Sequence, residues 1–379
     1  MARTKYPEGE RITADLTDDA LEVLGLGEGD PTDSSGSGDL PPGSPNLGSG
    51  GETPGDRPRR LSTVLGWQDI LFRTTARSGG TIVLLIMAFV GVFLLWQGYQ
   101  AISVAGFSFF TVEQWDPNGG DFGIAAVLFG TVVIALTAII VAVPLAIATA
   151  LYISEYAPGN IKQTLIQIVD LMAAVPSVVY GLWGVFMLEA AILPVSQWIS
   201  TVFGFIPAFA VDGFDPNDPL ATPTIFAGSA FIAGIVVAMM VTPITCSIMR
   251  EVFSQAPLGE REGALALGST RWGMITSVVL PFGRGGMIGG TMLGLGRALG
   301  ETIAVFMVIS PVFVIQPHLL QTGTNSISAL IAQRYGEAGA FEMSALMAAG
   351  LALFIMTLIV NFGASTIIAR SRSGAESDG

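Results

Sequence analysis

Charge is costly inside an apolar span, and two charges sit inside one here. Arg297 and Glu301 lie four positions apart within Gly285–Ile315, a run otherwise free of charge and long enough to cross a bilayer. Gly286, Gly290, Gly294 and Ala298 recur at every fourth position along it, a ridge of small residues that lets helix backbones approach one another. At about 100° per residue, Arg297 falls roughly 60° from Gly294 and Glu301 within about 20° of it, so both charges are expected on the packed side. An arginine at the bilayer centre costs about 2.5–3.5 kcal/mol on insertion scales, which calls for a partner or a water-lined cavity. Two readings stand. One is an i,i+4 pair that neutralises itself and joins helices. The other is a cationic fork that meets an oxyanion in transit while the carboxylate holds or gates it; the guanidinium suits such oxygens and never titrates away.

A polar loop feeds this span. Between Arg250 and Arg284 the chain offers Glu262-Gly263-Ala264, then Gly268, Val278 and Leu280-Pro281. Ala264–Leu267 favours a short helix with small residues at its start, which lets a partner surface come close, and Gly268 can take the left-handed conformation that ends it. Ser269 or Thr270 can cap a second helix through Leu280, which Pro281 stops. Two short helices at an angle make a knob that a partner can grip; an ordinary amphipathic connector is the plain alternative.

The elements that must position these groups are membrane helices. The chain is 51% hydrophobic and 12% charged, against about 25% charged in soluble domains. Six windows have the length of a span: Gly79–Ile102, Ile124–Ile153, Leu165–Leu193, Thr224–Met249, Gly285–Ile315 and Met343–Ala369. Pro144 and Pro176 fall inside the second and third, where kinks are expected. The expected class is an all-α, polytopic protein of the cell membrane.

Orientation follows from the basic residues. Arg73 and Arg77 precede the first window, Lys162 follows the second, Arg250, Arg261, Arg271 and Arg284 follow the fourth, and Arg370 and Arg372 follow the sixth. The alternate loops hold only Arg334 and carry Glu113, Asp116, Asp121, Asp212, Asp215 and Asp218. The positive-inside rule therefore puts both termini in the cytoplasm. Residues 1–60 read as an acidic tail, Gly/Ser/Pro-rich and disordered by composition; Met1–Asp56 alone carries twelve acidic residues against three basic ones. Residues 61–78 have the spacing of an amphipathic helix lying on the inner membrane surface, with Arg73 and Arg77 on its polar side. Residues 79–370 form the six-span domain with its loop at 250–284, and 371–379 a short cytoplasmic tail. No cleavable signal peptide is evident, since the first apolar stretch begins near residue 80.

Several functions are excluded. An acidic chain with net charge −13 offers no basic surface to nucleic acid. The single cysteine, Cys246, has no partner for a disulfide and no metal-ligand spacing around it. Neither a nucleophile–base pair nor a metal or cofactor motif is present, so an enzyme is not expected. The phosphate-cradling pattern G-x-x-x-x-G-K-[ST] is absent, which leaves any ATP hydrolysis to a partner. His318 reads as a solvated loop residue, and Asp170 as either lining an inner mouth or staying hydrated at the interface.

The loop resembles the EAA loop of ATP-binding-cassette (ABC) importer permeases, with Glu262-Gly263-Ala264 in place of Glu-Ala-Ala and Val278 in place of the usual isoleucine. LGLGRALGETIAVFMVI at Leu293–Ile309 is similar to the signature of phosphate-specific permeases, and its IAV continuation to that of the C-type (PstC-like) subunit. Val175–Phe186 (VPSVVYGLWGVF), Trp115–Pro117 (WDP) and Asn325–Ala338 (NSISALIAQRYGEA) match the same family. The resemblance covers nearly all of residues 70–370 and leaves the acidic tail outside.

It implies the type I ABC importer permease fold. It also implies a heterodimer with an A-type permease over two ATP-binding subunits, served by an extracytoplasmic phosphate-binding protein. By the same carry-over, Arg297 and Glu301 sit on the phosphate path, and Glu262, Gly263, Ala264, Gly268 and Pro281 belong to the ATPase-coupling loop. Glu155 either touches the ATPase or caps a helix. The rival readings are a permease for tungstate, molybdate or sulfate, and an ion-coupled carrier without an ATPase.

Overall fold

The computed structural model describes residues 66–215 and 222–372. The expected tail at 1–60 lies outside the described residues, as do Asp218 and 373–379 of the short C-terminal tail. Helices dominate: α1 (Trp67–Ala105), α2 (Ala125–Leu151), α3 (Gly159–Ala174), α4 (Ser177–Trp183), α5 (Glu189–Phe203), α6 (Ala230–Ser254), α7 (Leu258–Ala266), α8 (Arg271–Met274), α9 (Leu280–Leu299), α10 (Ile303–Val308), α11 (Ile327–Arg334) and α12 (Ala340–Arg372). Wide π turns extend α2 over Tyr152–Tyr156, join α4 to α5 over Gly184–Leu188, and join α8 to α9 over Ile275–Val279. Six helical courses among the described residues are long and apolar enough to cross a membrane.

The core is the contact of α2 with α6. Ala135, Ala138, Ala142, Ala146 and Ala150 line one face of α2 at helical spacing, all fully buried. Ala233, Val237 and Val241 of α6 are equally buried. A side chain at Gly234 would place its Cβ 2.6 Å from Thr137 Cγ2, so the two helices approach as closely as glycine allows. By contrast α1 is peripheral. It rests on α12 where Gly98 meets the Ala348 backbone, and Ser344 Oγ donates to the Gln97 carbonyl at 2.7 Å. Its remaining surface, from Ile82 to Trp96, is a sheath of exposed apolar side chains suited to lipid. Residues 67–78 run into this span as one unbroken helix.

The third span differs from the expected window. Helix α3 ends at Ala174, Val175 is extended (ψ 130°), and the span runs over Ser177–Phe203. The cause is local, because a residue before proline is pushed out of the helical region. At the other end of the bundle a small hairpin pairs β1 (Trp115–Asp116) with β2 (Asp121–Phe122). Asp116 Oδ1 accepts from Gly119 N at 3.0 Å, and Gly120 takes the turn's positive φ of 93°. Trp115 Nε1 then donates to buried Glu342 Oε1 at 3.4 Å, tying the hairpin to α12.

His318 is not a free loop side chain. Its Nδ1 lies 2.7 Å from the Pro207 carbonyl and its Nε2 3.5 Å from Asp212 Oδ2, so it stitches two loops together.

Candidate functional site

Helix α9 packs its small residues on α6. Gly283, Gly290, Gly294 and Ala298 are buried, and a Cβ at Gly294 would fall 2.7 Å from both Thr245 Oγ1 and Val241 Cγ1. The ridge read from the sequence is therefore the seam of this contact. The helix stops at Leu299 with Gly300 as its cap, and α10 begins again at Ile303. Backbone broken within an apolar stretch requires neighbours to satisfy it. Glu301 supplies one contact with its side chain, Oε1 accepting from Ala304 N at 3.2 Å. Ser328 supplies another, its hydroxyl donating to the Glu301 carbonyl at 2.6 Å. Thr302 Oγ1 donates to the Gly300 carbonyl at 3.2 Å.

Glu301 is buried, at 8% exposure. Arg297 is exposed and makes no ion pair or hydrogen bond among the described residues. The expectation that both charges share the packed side holds for Glu301 alone. Sixty degrees from the glycine seam is enough to carry Arg297 off the contact. Glu301 meanwhile lies beyond the end of α9, where helical angles no longer apply. An i,i+4 pair between them does not form.

Hydroxyl groups gather behind Glu301 that sequence reasoning gave no role. Ser328 Oγ lies 3.2 Å from Ser326 Oγ, which accepts from Ala329 N and so caps α11. Ile327 N donates to Thr131 Oγ1 of α2 at 2.9 Å, and Asn325 packs against Gly130 with its Nδ2 unpartnered. The run Asn325–Ser328 stood in the sequence as a motif, but its register against Thr131 depends on a non-local contact. Among the described residues no three His, Cys, Asp or Glu side chains converge as metal ligands.

The second group of expected site residues lies at the opposite end of α9. Helix α7 runs two residues short of Gly268, which adopts φ 85°, and Thr270 Oγ1 accepts from Gly273 N at 3.1 Å to cap α8. Glu262 and Gly263 are exposed, and among the described residues no atom lies within 4 Å of a Cβ placed at Gly263. Ala264 is half-buried and packs on the apolar cluster that includes Phe253, Met274 and Ile275. Pro281 does not stop the helix. It sits in the first turn of α9, just after the wide turn Ile275–Val279, where the i→i−5 ladder opens the backbone that the ring would otherwise strike. Leu258, Leu265, Leu267 and Trp272 stand exposed around this knob. Glu155 neither caps a helix nor stands free; it pairs with Arg261 of α7 at 3.3 Å.

No protein-family model matches the chain. Curated relatives do. Over 309 residues it is 38% identical to the phosphate transport system permease protein PstC of Xylella fastidiosa (strain 9a5c), covering 81% of this chain and 91% of that one. Over 301 residues it is 35% identical to the phosphate transport system permease protein PstC 2 of Mycobacterium tuberculosis (strain ATCC 25618 / H37Rv), covering 78% and 90%.

The chain belongs to the PstC permease family. Its fold also matches a chain of a bacterial alginate ABC transporter crystallised with an alginate pentasaccharide-bound periplasmic protein. The TM-score is 0.53 at 17% identity, over 80% of this chain and 97% of that one. The fold is thus that of an ABC transporter permease, and the six spans make this PstC-family chain a multi-pass membrane protein.

Proposed function

We propose that this chain is a non-catalytic transmembrane subunit of an ABC importer that moves inorganic phosphate into the cell. The observation that carries the reading is Arg297, an exposed guanidinium in an apolar span, unpaired among the described residues, with buried Glu301 at the helix break that follows. Unpaired charge at that depth is tolerated where it meets water, a partner subunit or a passing ion. The arginine fork can hold two oxygens of a tetrahedral oxyanion. A carboxyl at Glu301 that accepts a hydrogen bond favours an anion that still carries a hydroxyl. Protonated phosphate meets both demands. Sulfate, molybdate and tungstate, fully ionised near neutrality, meet only the first.

The α7 end then faces the cytoplasm, as the basic residues indicate, with both termini on that side. The exposed Glu262, Gly263, Leu265, Leu267 and Trp272 offer a docking knob to an ATP-binding subunit, two of which serve a heterodimer with an A-type permease. An extracytoplasmic phosphate-binding protein delivers the anion at the hairpin end. Radiolabelled phosphate uptake in a phosphate-starved strain lacking the gene tests this. Wild type should restore uptake, while Arg297→Ala and a knob variant altered at Glu262 and Gly268 should not. Rescue by the knob variant with Arg297→Ala inactive would favour an ATPase-free carrier. Uptake unaffected by the deletion would move the cargo to another oxyanion.

A further inference from the structure

Glu155 and Arg261 are 106 residues apart in sequence and meet through a largely buried ion pair. Arg261 Nη1 lies 3.3 Å from Glu155 Oε1, with the two side chains 15% and 6% exposed. The second arm of the fork, Nη2, donates to the carbonyl of Phe253 in the last turn of α6. Glu155 belongs to the wide turn that extends α2. One guanidinium therefore ties α7 to the ends of both core helices at once. Ala264 packs on the apolar cluster that includes Ala150, Phe253, Met274 and Ile275.

Stability is a poor explanation for such a pair. Desolvating two charges offsets most of their attraction, and apolar residues of similar volume often hold a fold as well or better. Among the described residues Arg261 Nε is also buried without a partner, a cost an apolar pair would avoid. What the fork supplies is direction, because its two arms fix α7 against two helices in one geometry. The opposite face of α7, with Glu262 and Gly263, remains free for a partner.

We infer that Glu155 and Arg261 form a latch that makes α7 one rigid body with the ends of α2 and α6, so that a push on the exposed face of α7 moves the core helices instead of bending the loop. Both are positioning residues: neither reaches the Arg297–Glu301 region. The inference rests on the ATP-driven reading above and not on which oxyanion is carried.

The test uses the complete transporter in proteoliposomes and reads phosphate imported per ATP hydrolysed. Glu155→Gln removes the charge at constant size, and Glu155→Leu with Arg261→Met replaces the pair by an apolar contact that should still assemble. Both variants should assemble with the ATP-binding subunits and hydrolyse ATP, while import per ATP falls about fivefold or more. An unchanged ratio in either assembled variant overturns the latch. So does failure of both to assemble, since the pair would then be structural. A wild-type complex that imports without ATP overturns the ATP-driven reading and the latch together. One that imports a different oxyanion overturns only the cargo, and the ratio is then read with that oxyanion.

Discussion

Removing Arg297 separates a transport role from a structural one, because the two predict opposite signs for stability. The side chain makes no ion pair or hydrogen bond among the described residues, so its deletion costs the fold no internal polar contact. Deletion also relieves the cost of holding a charge in an apolar span, at most about 2.5–3.5 kcal/mol. Arg297→Ala should therefore reach the membrane at least as well as wild type, and the purified complex should melt at the same temperature or higher. Uptake should move the other way. A hydrogen bond to a charged group contributes about 1.5–3 kcal/mol, and a fork holding two phosphate oxygens would make two. Their loss weakens the anion's hold by about 3–6 kcal/mol, or on the order of 10²–10⁴-fold. Arg297→Lys keeps the charge without the fork and should lose about 10–100-fold. Initial rates of radiolabelled uptake, normalised to permease in the membrane and paired with melting curves, provide both readouts. Near-wild-type uptake by Arg297→Ala, or a clear fall in its melting temperature, would refute the reasoning.

Other changes test the frame around that site. Gly294→Ala forces a Cβ to 2.7 Å from Thr245 and Val241 and should destabilise by about 1–3 kcal/mol, seen as a lower melting temperature. Gly263→Ala meets open space within the chain and should gain about 0.5–1 kcal/mol of helix stability, seen as a higher melting temperature. Gly268→Val must hold φ 85° at a cost of about 1–2 kcal/mol, and should cut uptake more than it lowers the melting temperature. Ser328→Ala removes the 2.6 Å bond to the Glu301 carbonyl. Such bonds contribute about 0.6 and at most about 1.7 kcal/mol in membranes, so the apparent KM for phosphate should rise several-fold with assembly intact.

The spans were legible because hydropathy and length act over twenty residues at a time, which averages out local detail. The same averaging hides breaks. The window over Leu165–Leu193 ran through Val175–Pro176, and the window over Gly285–Ile315 ran through Gly300–Thr302, where the chain leaves the helix and turns Glu301 into a buried cap. Proline alone is ambiguous. Before Pro176 the chain breaks, at Pro144 and Pro243 it continues, and at Pro281 a preceding wide turn accommodates the ring. The left-handed Gly268 and the Thr270 cap were readable because each follows from its own few residues. Glu155–Arg261 and Ser328–Glu301 were not, since each joins elements whose meeting depends on the packing of α2 with α6.

The two groups of site residues are joined by one helical course, Arg271–Leu299, of 29 residues, which at a rise of 1.5 Å each spans about 44 Å. It begins beside Gly268 and ends one residue before the break that holds Glu301. Along its length it lies on α6, the same helix whose last turn Arg261 grips. Gly283, Gly290 and Gly294 form the seam there, and Phe253, Met249, Thr245 and Val241 of α6 lie directly against them. The latch holds α7 to α6, and Gly268 separates that body from α9, so a displacement of α7 carries α6 past α9 and changes what surrounds Arg297. A cross-link between α9 and α6 on this seam should stop import while leaving ATP binding to the assembled transporter intact. Import that survives the cross-link would mean the two helices move as one, and that the glycines serve close packing alone.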